Sequence, residues 1–161
     1  MAMEQFAHLD TWLAQKRKNA AAMSEALSEF PFIIPPAFQG EPAWYAFVFQ
    51  YDATMAGVSD TIFERALLRE RLVELDRPSS TRPNHDLALF TQPQLVLPQL
   101  YARDWKPVPG DYPGADRFYR QAFKLPVWAF PDEERIVQSY IDGLVKVCRA
   151  VQTDPAQFAE V

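Results

Sequence analysis

The residue best suited to chemistry is His85, in the run "STRPNHDLALF" over residues 80–90. An imidazole changes charge near neutral pH, so it can hold, accept or pass a proton. Asp86 is its neighbour, but adjacent residues do not orient one another as a base and its carboxylate partner do. A transfer reaction through His85 also needs a nucleophile in reach, and the chain has no Gly-x-Ser-x-Gly or comparable cysteine motif. Arg77 and Arg82 stand in the same loop and are candidates for meeting an anion. The other chemistry-bearing residues read more plainly. His8 sits on the first helix as a surface residue, and two histidines this far apart make no metal site. Cys148 lies on an apolar helical stripe and reads as a small buried hydrophobe. Lys124, in "FKLPVW", could form a Schiff base in principle. It precedes a strand with no Gly-rich phosphate loop nearby, so it reads as a solvated boundary lysine.

These residues must be placed by the elements around them. Residues 3–29 carry Phe6, Leu9, Leu13, Ala20, Met23 and Leu27 at three- and four-residue steps, which predicts a helix. No N-cap precedes it, and the pattern is already running at residue 3, as expected of a helix that began further upstream. Phe32 to Ile34 predicts a short strand closed by Pro35 and Pro36. "AWYAFVFQYD", residues 43–52, is apolar on both faces and predicts a central strand covered on both sides, with its aromatics in the core. Residues 60–75 predict a helix with a Thr61/Glu64 capping box. Its stripe is Ile62, Ala66, Leu67 and Val73, with Arg65, Arg69 and Arg71 facing water. A loop over 76–92 follows, then a short helix over 93–102 and a Pro- and Gly-rich loop over 103–113. A helix over 114–123 carries Phe118, Tyr119 and Phe123, and a buried strand covers 125–130. Pro131 then opens a long helix, with Asp132, Glu133 and Glu134 at its positive end. Its stripe is Val137, Ile141, Leu144, Cys148 and Val151. The fold class is α+β: a small antiparallel sheet packed with helices.

The totals agree with that reading. A chain of 161 residues forms one domain with a real core, burying about 70% of the surface its unfolded form exposes. At 48% hydrophobic and 23% charged residues, the composition is that of a globular domain. A net charge of −5 argues against nucleic acid as a partner, because phosphate binding wants a basic footprint. No apolar run approaches the ~18 residues of a membrane span, and the N-terminus lacks a signal peptide's apolar centre. The single cysteine excludes an internal disulfide and a cysteine-based zinc site. The expected location is the cytoplasm.

Three stretches together resemble a known family. "EQFAHLDTWLAQKRKNAAAMSEAL", residues 4–27, is similar to the helix leading into the small C-terminal domain of the DegT/DnrJ/EryC1/StrS aminotransferases. The matching residues are Gln5, Leu9, Asp10, Arg17, Asn19, Ala20 and Leu27. "AWYAFVFQYD" resembles the family's aromatic strand. Residues 112–147, beginning "YPGADRFYRQ", resemble its closing segment: Pro-x-Ala-Asp, a short helix, Leu-Pro and an acid-started helix. Pro83, His85 and Phe90 match a Pro-x-His element followed by an aromatic. Many members place a histidine and an aromatic just before this element, where this chain has Ser79 and Ser80.

The resemblance implies a domain of an enzyme that uses pyridoxal phosphate to move an amino group from glutamate or glutamine onto a keto-sugar or keto-cyclitol. It implies that His85, with Arg82 and Asn84 beside it, is on the substrate side of the site. It also implies that the cofactor fold and Schiff-base lysine belong to a large domain with no counterpart in residues 1–161, so that this chain holds no cofactor and no catalytic residue of its own. The expected partner is that large domain or a full-length aminotransferase, with a homodimer as a further possibility. The alternative is a stand-alone interaction module that associates with itself or with such an enzyme.

Overall fold

The computed structural model describes residues 2–77, 82–99, 108 and 110–158, without the side chains of Ala2 and Met3. The first helical pattern becomes two helices, α1 (Ala2–Ala7) and α2 (Leu9–Leu27). The break is at His8, whose N–H bonds back to the Gln5 carbonyl in a tighter turn at 3.1 Å. Phe6 and Leu9 stay exposed, so the buried stripe of α2 is Asn19, Ala20, Met23 and Leu27.

Three antiparallel strands follow in the order β1 (Ile33–Ile34), β2 (Ala46–Tyr51) and β3 (Ala122–Pro126). β2 is central, pairing Ile33 with Tyr51 on one side and Phe47 with Leu125 and Phe49 with Phe123 on the other. Its alternation buries Phe47, Phe49 and Tyr51 on one face and half-buries Ala46, Val48 and Gln50 on the second, so the two-sided cover is incomplete. Tyr45 precedes the strand and is 89% exposed, outside the expected core. β3 lies earlier than the expected 125–130. The chain turns extended at Ala122, which ends the preceding helix and places Phe123 in the sheet. Asp76 bridges to the outer edge of β3 through both backbone bonds with Lys124, at 2.9 and 2.7 Å.

A one-turn helix α3 (Ala53–Ala56), capped by Asp52, leads to α4 (Asp60–Arg69). The N-cap of α4 is Ser59, whose hydroxyl accepts from the Ile62 N–H, and not the Thr61/Glu64 box. α4 ends six residues before the expected 75. Arg71 adopts a left-handed φ of 65°, Leu72 N bonds Leu67 O, and Arg71 N bonds Leu68 O. This is a Schellman ending, with an arginine where glycine is the usual choice. Val73 is therefore exposed, whereas Leu67 and Leu72 pack inside.

The connection over 76–92 contains a 3-10 turn, Asn84–Asp86, and a short helix α5 (Ala88–Thr91). Next comes α6 (Pro93–Val96), one turn of the helix expected to 102. Ser79, Ser80, the end of that helix and most of the 103–113 loop lie outside the described residues. α7 (Pro113–Gln121) precedes β3, and α8 (Glu134–Thr153) follows a 3-10 turn at Pro131–Glu133. The Glu133 carboxylate accepts from the N–H groups of Ala129 and Phe130, using the acidic start as expected. Val137, Ile141, Leu144, Cys148 and Val151 are all buried. A methyl group at Gly143 would come within 2.6 Å of Leu72 Cδ1, so the glycine lets α8 approach the end of α4. A final 3-10 turn spans Pro155–Phe158.

Candidate functional site

Pro83 is buried and anchors the turn that presents His85. The turn is closed by Asp86 N on Pro83 O and Leu87 N on Asn84 O, both at 3.0 Å. α7 comes up opposite it. Pro113 sits in the first helical turn, where its missing N–H costs nothing. Asp116 sits in the same turn, where the helix dipole favours a carboxylate. His85 Nε2 lies 2.7 Å from Asp116 Oδ1. The side chains are 12% and 20% exposed, so the bond is mostly shielded from water. Tyr112 stacks on the imidazole at 4.9 Å between ring centroids and 25° between planes.

An ionised carboxylate only accepts, so toward one the imidazole donates through Nε2, and in the neutral ring that tautomer leaves Nδ1 as the acceptor. Asp86 approaches only to 3.8 Å, too far for a hydrogen bond, as expected of an adjacent residue. His85 forms the partition between two cavities. One, of about 460 Å³, is lined by His85, Asp86, Thr91, Asp116 and Arg120. The other, of about 340 Å³, is more apolar and has Asn84, Phe90 and Tyr112 in its wall. The arrangement is an oriented imidazole able to hydrogen-bond, or hold a proton for, a polar ligand beside an aromatic platform.

Of the residues singled out from sequence, His85 and Asn84 meet at this wall. Arg82 is exposed at the start of the turn. Arg77 belongs elsewhere: its guanidinium binds Asp60 at 2.9 Å and Glu64 at 3.0 Å and lies 4.7 Å over the Phe123 ring. Asp116, Tyr112 and Arg120 received no role from sequence. Asp116 is the acid of the Pro-x-Ala-Asp element, but nothing in the spacing connects it to His85. His8 is exposed and stacks on Trp12. Among the described residues, no three His, Cys, Asp or Glu side chains are grouped to hold a metal.

The family model described as the DegT/DnrJ/EryC1/StrS aminotransferase family matches residues 1–139. No curated protein matches the chain. Among solved structures it is similar to DesV of S. venezuelae in complex with a ketimine intermediate, at 22% identity and a TM-score of 0.59 over 87% of this chain and 34% of DesV. It is also similar to E. coli GDP-4-keto-6-deoxy-D-mannose-3-dehydratase with bound hydrated PLP, at 15% identity and a TM-score of 0.64, covering 88% of this chain and 33% of that one. A third is Helicobacter pylori PseC, an aminotransferase involved in the biosynthesis of pseudoaminic acid, at 15% identity and a TM-score of 0.60, covering 86% and 33%. These likenesses show the fold, a helix-packed three-stranded antiparallel sheet. The chain spans about a third of the length of each structure.

The described lysines do not fit the Schiff-base role that pyridoxal phosphate needs. Such a lysine must give up a proton. Lys124 instead lies 2.8 Å from Asp76, and that hydrogen bond raises its pKa and holds the ammonium charged. Lys16 donates to the Trp44 carbonyl, Lys18 pairs with Glu134, and Lys146 pairs with Glu70. Lys106 lies outside the described residues.

Proposed function

The chain belongs to the DegT/DnrJ/EryC1/StrS aminotransferase family, and on that premise we propose that residues 1–161 are a single C-terminal small domain of an enzyme that moves an amino group onto a keto-sugar or keto-cyclitol. Pyridoxal phosphate, bound by another domain, supplies the electron sink for that transfer. This chain contributes one wall of the substrate mouth. His85, fixed by Asp116, hydrogen-bonds a substrate hydroxyl through the imidazole nitrogen that Asp116 leaves open. Tyr112 and Phe90 offer an apolar surface to the ring, and Asn84 and Arg82 meet polar groups at the rim. The observation that carries this reading is the His85–Asp116 bond of 2.7 Å at the edge of a 460 Å³ cavity. A single oriented imidazole without a nucleophile suits substrate positioning better than chemistry of its own.

The test supplies the cofactor domain. A family enzyme stripped of its own small domain is expressed with this chain, and amino transfer from glutamate to a keto-sugar is measured. The expected result is turnover that His85→Ala lowers about tenfold in kcat/KM, the loss of roughly 1.4 kcal/mol. Turnover indifferent to His85→Ala would remove the mouth role. The chain alone, mixed with pyridoxal phosphate and borohydride, is expected to acquire no pyridoxyl group. A stable adduct on Lys124 would overturn the assignment.

A second reading is an interaction module that docks on itself or on a full-length aminotransferase. The exposed apolar side chains Leu87, Leu89, Leu95, Val96 and Leu97, all within one short segment, support it, because clustered exposed apolar residues are what a contact site uses. Light scattering tests it, and a strict monomer with no affinity for a family enzyme would count against it.

A further inference from the structure

We propose that Arg77 is a positioning residue that sets the His85–Asp116 pair. The inference rests on the substrate-wall reading for its functional meaning, but its geometry stands independently. The Arg77 guanidinium makes a three-way junction. Nε donates to Glu64 and Nη2 to Asp60, both on α4, while Nη1 donates to the Arg120 backbone carbonyl at 3.0 Å. The plane of the group lies over Phe123 of β3.

The Arg120 carbonyl is one of the last in α7. Helix ends leave such carbonyls without intrahelical partners, and one that is fixed from outside fixes the helix end. Asp116 lies one turn earlier on the same face as Arg120, and both line the His85 cavity. The position of α7 along its axis therefore sets how far the Asp116 carboxylate reaches toward His85. Arg77 holds that position against α4, and it stands in the same connection between helices that carries His85.

Only a planar fork fits this junction. Donors diverge to two carboxylates and one carbonyl while the face rests on an aromatic ring. A lysine ammonium keeps the charge without that geometry. Among the described residues, Arg77 reaches α7 through the Arg120 carbonyl and is ion-paired with Asp60 and Glu64 rather than with Asp116, so α7 is the hydrogen-bonded route from this junction to the imidazole.

The experiment uses the whole chain without substrate or cofactor and follows the imidazole by ¹⁵N-resolved NMR. In the wild-type protein, the Nε2 proton of His85 is expected as a resolved, slowly exchanging resonance, because it is bonded to Asp116. Arg77→Gln is expected to keep the long helix α8 intact by backbone shifts yet lose that resonance. Arg77→Lys is expected to lose it as well. A folded Arg77→Gln protein with the Nε2 proton unchanged overturns the proposal, and so does full retention of the signal in Arg77→Lys. Should Arg77→Gln not fold, Asp60→Asn and Glu64→Gln each remove one charged acceptor and keep the guanidinium. Weakened protection of the Nε2 proton in both supports the junction, and unchanged protection in both overturns it. The readout contains no transamination step, so failure here leaves the substrate-wall reading intact. Loss of the His85 effect on turnover leaves this junction intact.

Discussion

Replacing Asp116 by alanine removes one acceptor and leaves His85 stacked on Tyr112. The bond is short, at 2.7 Å, and joins an imidazole to a carboxyl group. Hydrogen bonds to charged groups contribute about 1.5–3 kcal/mol when shielded, while exposed pairs contribute about 0–1 kcal/mol. With side chains 12% and 20% exposed, the pair falls between these limits, at about 1–2 kcal/mol. The effect belongs to the local opening of the His85 turn, because the cored helices and sheet do not depend on it. Native-state hydrogen exchange reads that opening at the amides of Asp86, Leu87, Phe90 and Thr91, each bonded within the turn or α5. Asp116→Ala should speed their exchange about 5–30-fold, the factor for 1–2 kcal/mol. Asp116→Asn keeps an acceptor and should fall between alanine and wild type. A double-mutant cycle with His85→Ala isolates the bond, since Tyr112 is untouched by the Asp116 change. A coupling below about 0.3 kcal/mol, within the usual error of additivity, would refute the claim that Asp116 orients His85.

Other perturbations follow from the same geometry. Ser59→Ala should destabilise the protein by about 1 kcal/mol in urea denaturation by removing the α4 cap, whereas Thr61→Ala should stay within about 0.5 kcal/mol. Arg71→Gly should raise stability by up to about 1 kcal/mol, because glycine adopts the left-handed backbone without strain. Burial pushes the Cys148 thiol and the Tyr51 hydroxyl above their ordinary pKa values. Both are neutral when protonated, so above the unfolded-state values of about 8.5 and 10 the unfolded chain binds fewer protons than the folded one. The contribution of these two groups to stability should be full below about pH 8.5 and be lost as pH rises from there. Tyr51→Phe should flatten the part of that slope above about pH 10, as read from alkaline urea titrations, while leaving the Val58 carbonyl without its 2.8 Å donor at a cost of about 1–3 kcal/mol.

The long-range order of the fold was legible where a periodic stripe meets one partner surface. The α8 stripe through Val137, Leu144 and Cys148, and the alternation of Phe47, Phe49 and Tyr51, were readable because burial follows directly from period. Boundaries were not. α4 stops at Arg69 because Arg71 turns left-handed, and no glycine marks that turn. The β3 strand starts at Ala122 because Gln50 and Phe49 of β2 are there to pair with Ala122 and Phe123, a fact of another segment.

The same division runs through the candidate site. His85 stood out by residue type, and the order of three motifs was enough to point to the family whose model matches residues 1–139. Arg77 and His85 looked alike as loop residues, and tertiary structure separated them: Arg77 went to Asp60 and Glu64, and His85 to Asp116. Sequence carries periodicity and motif order because these are properties of a segment. It does not carry the proton partner of an imidazole, because a hydrogen bond is decided by a few tenths of an ångström between atoms that only folding brings together.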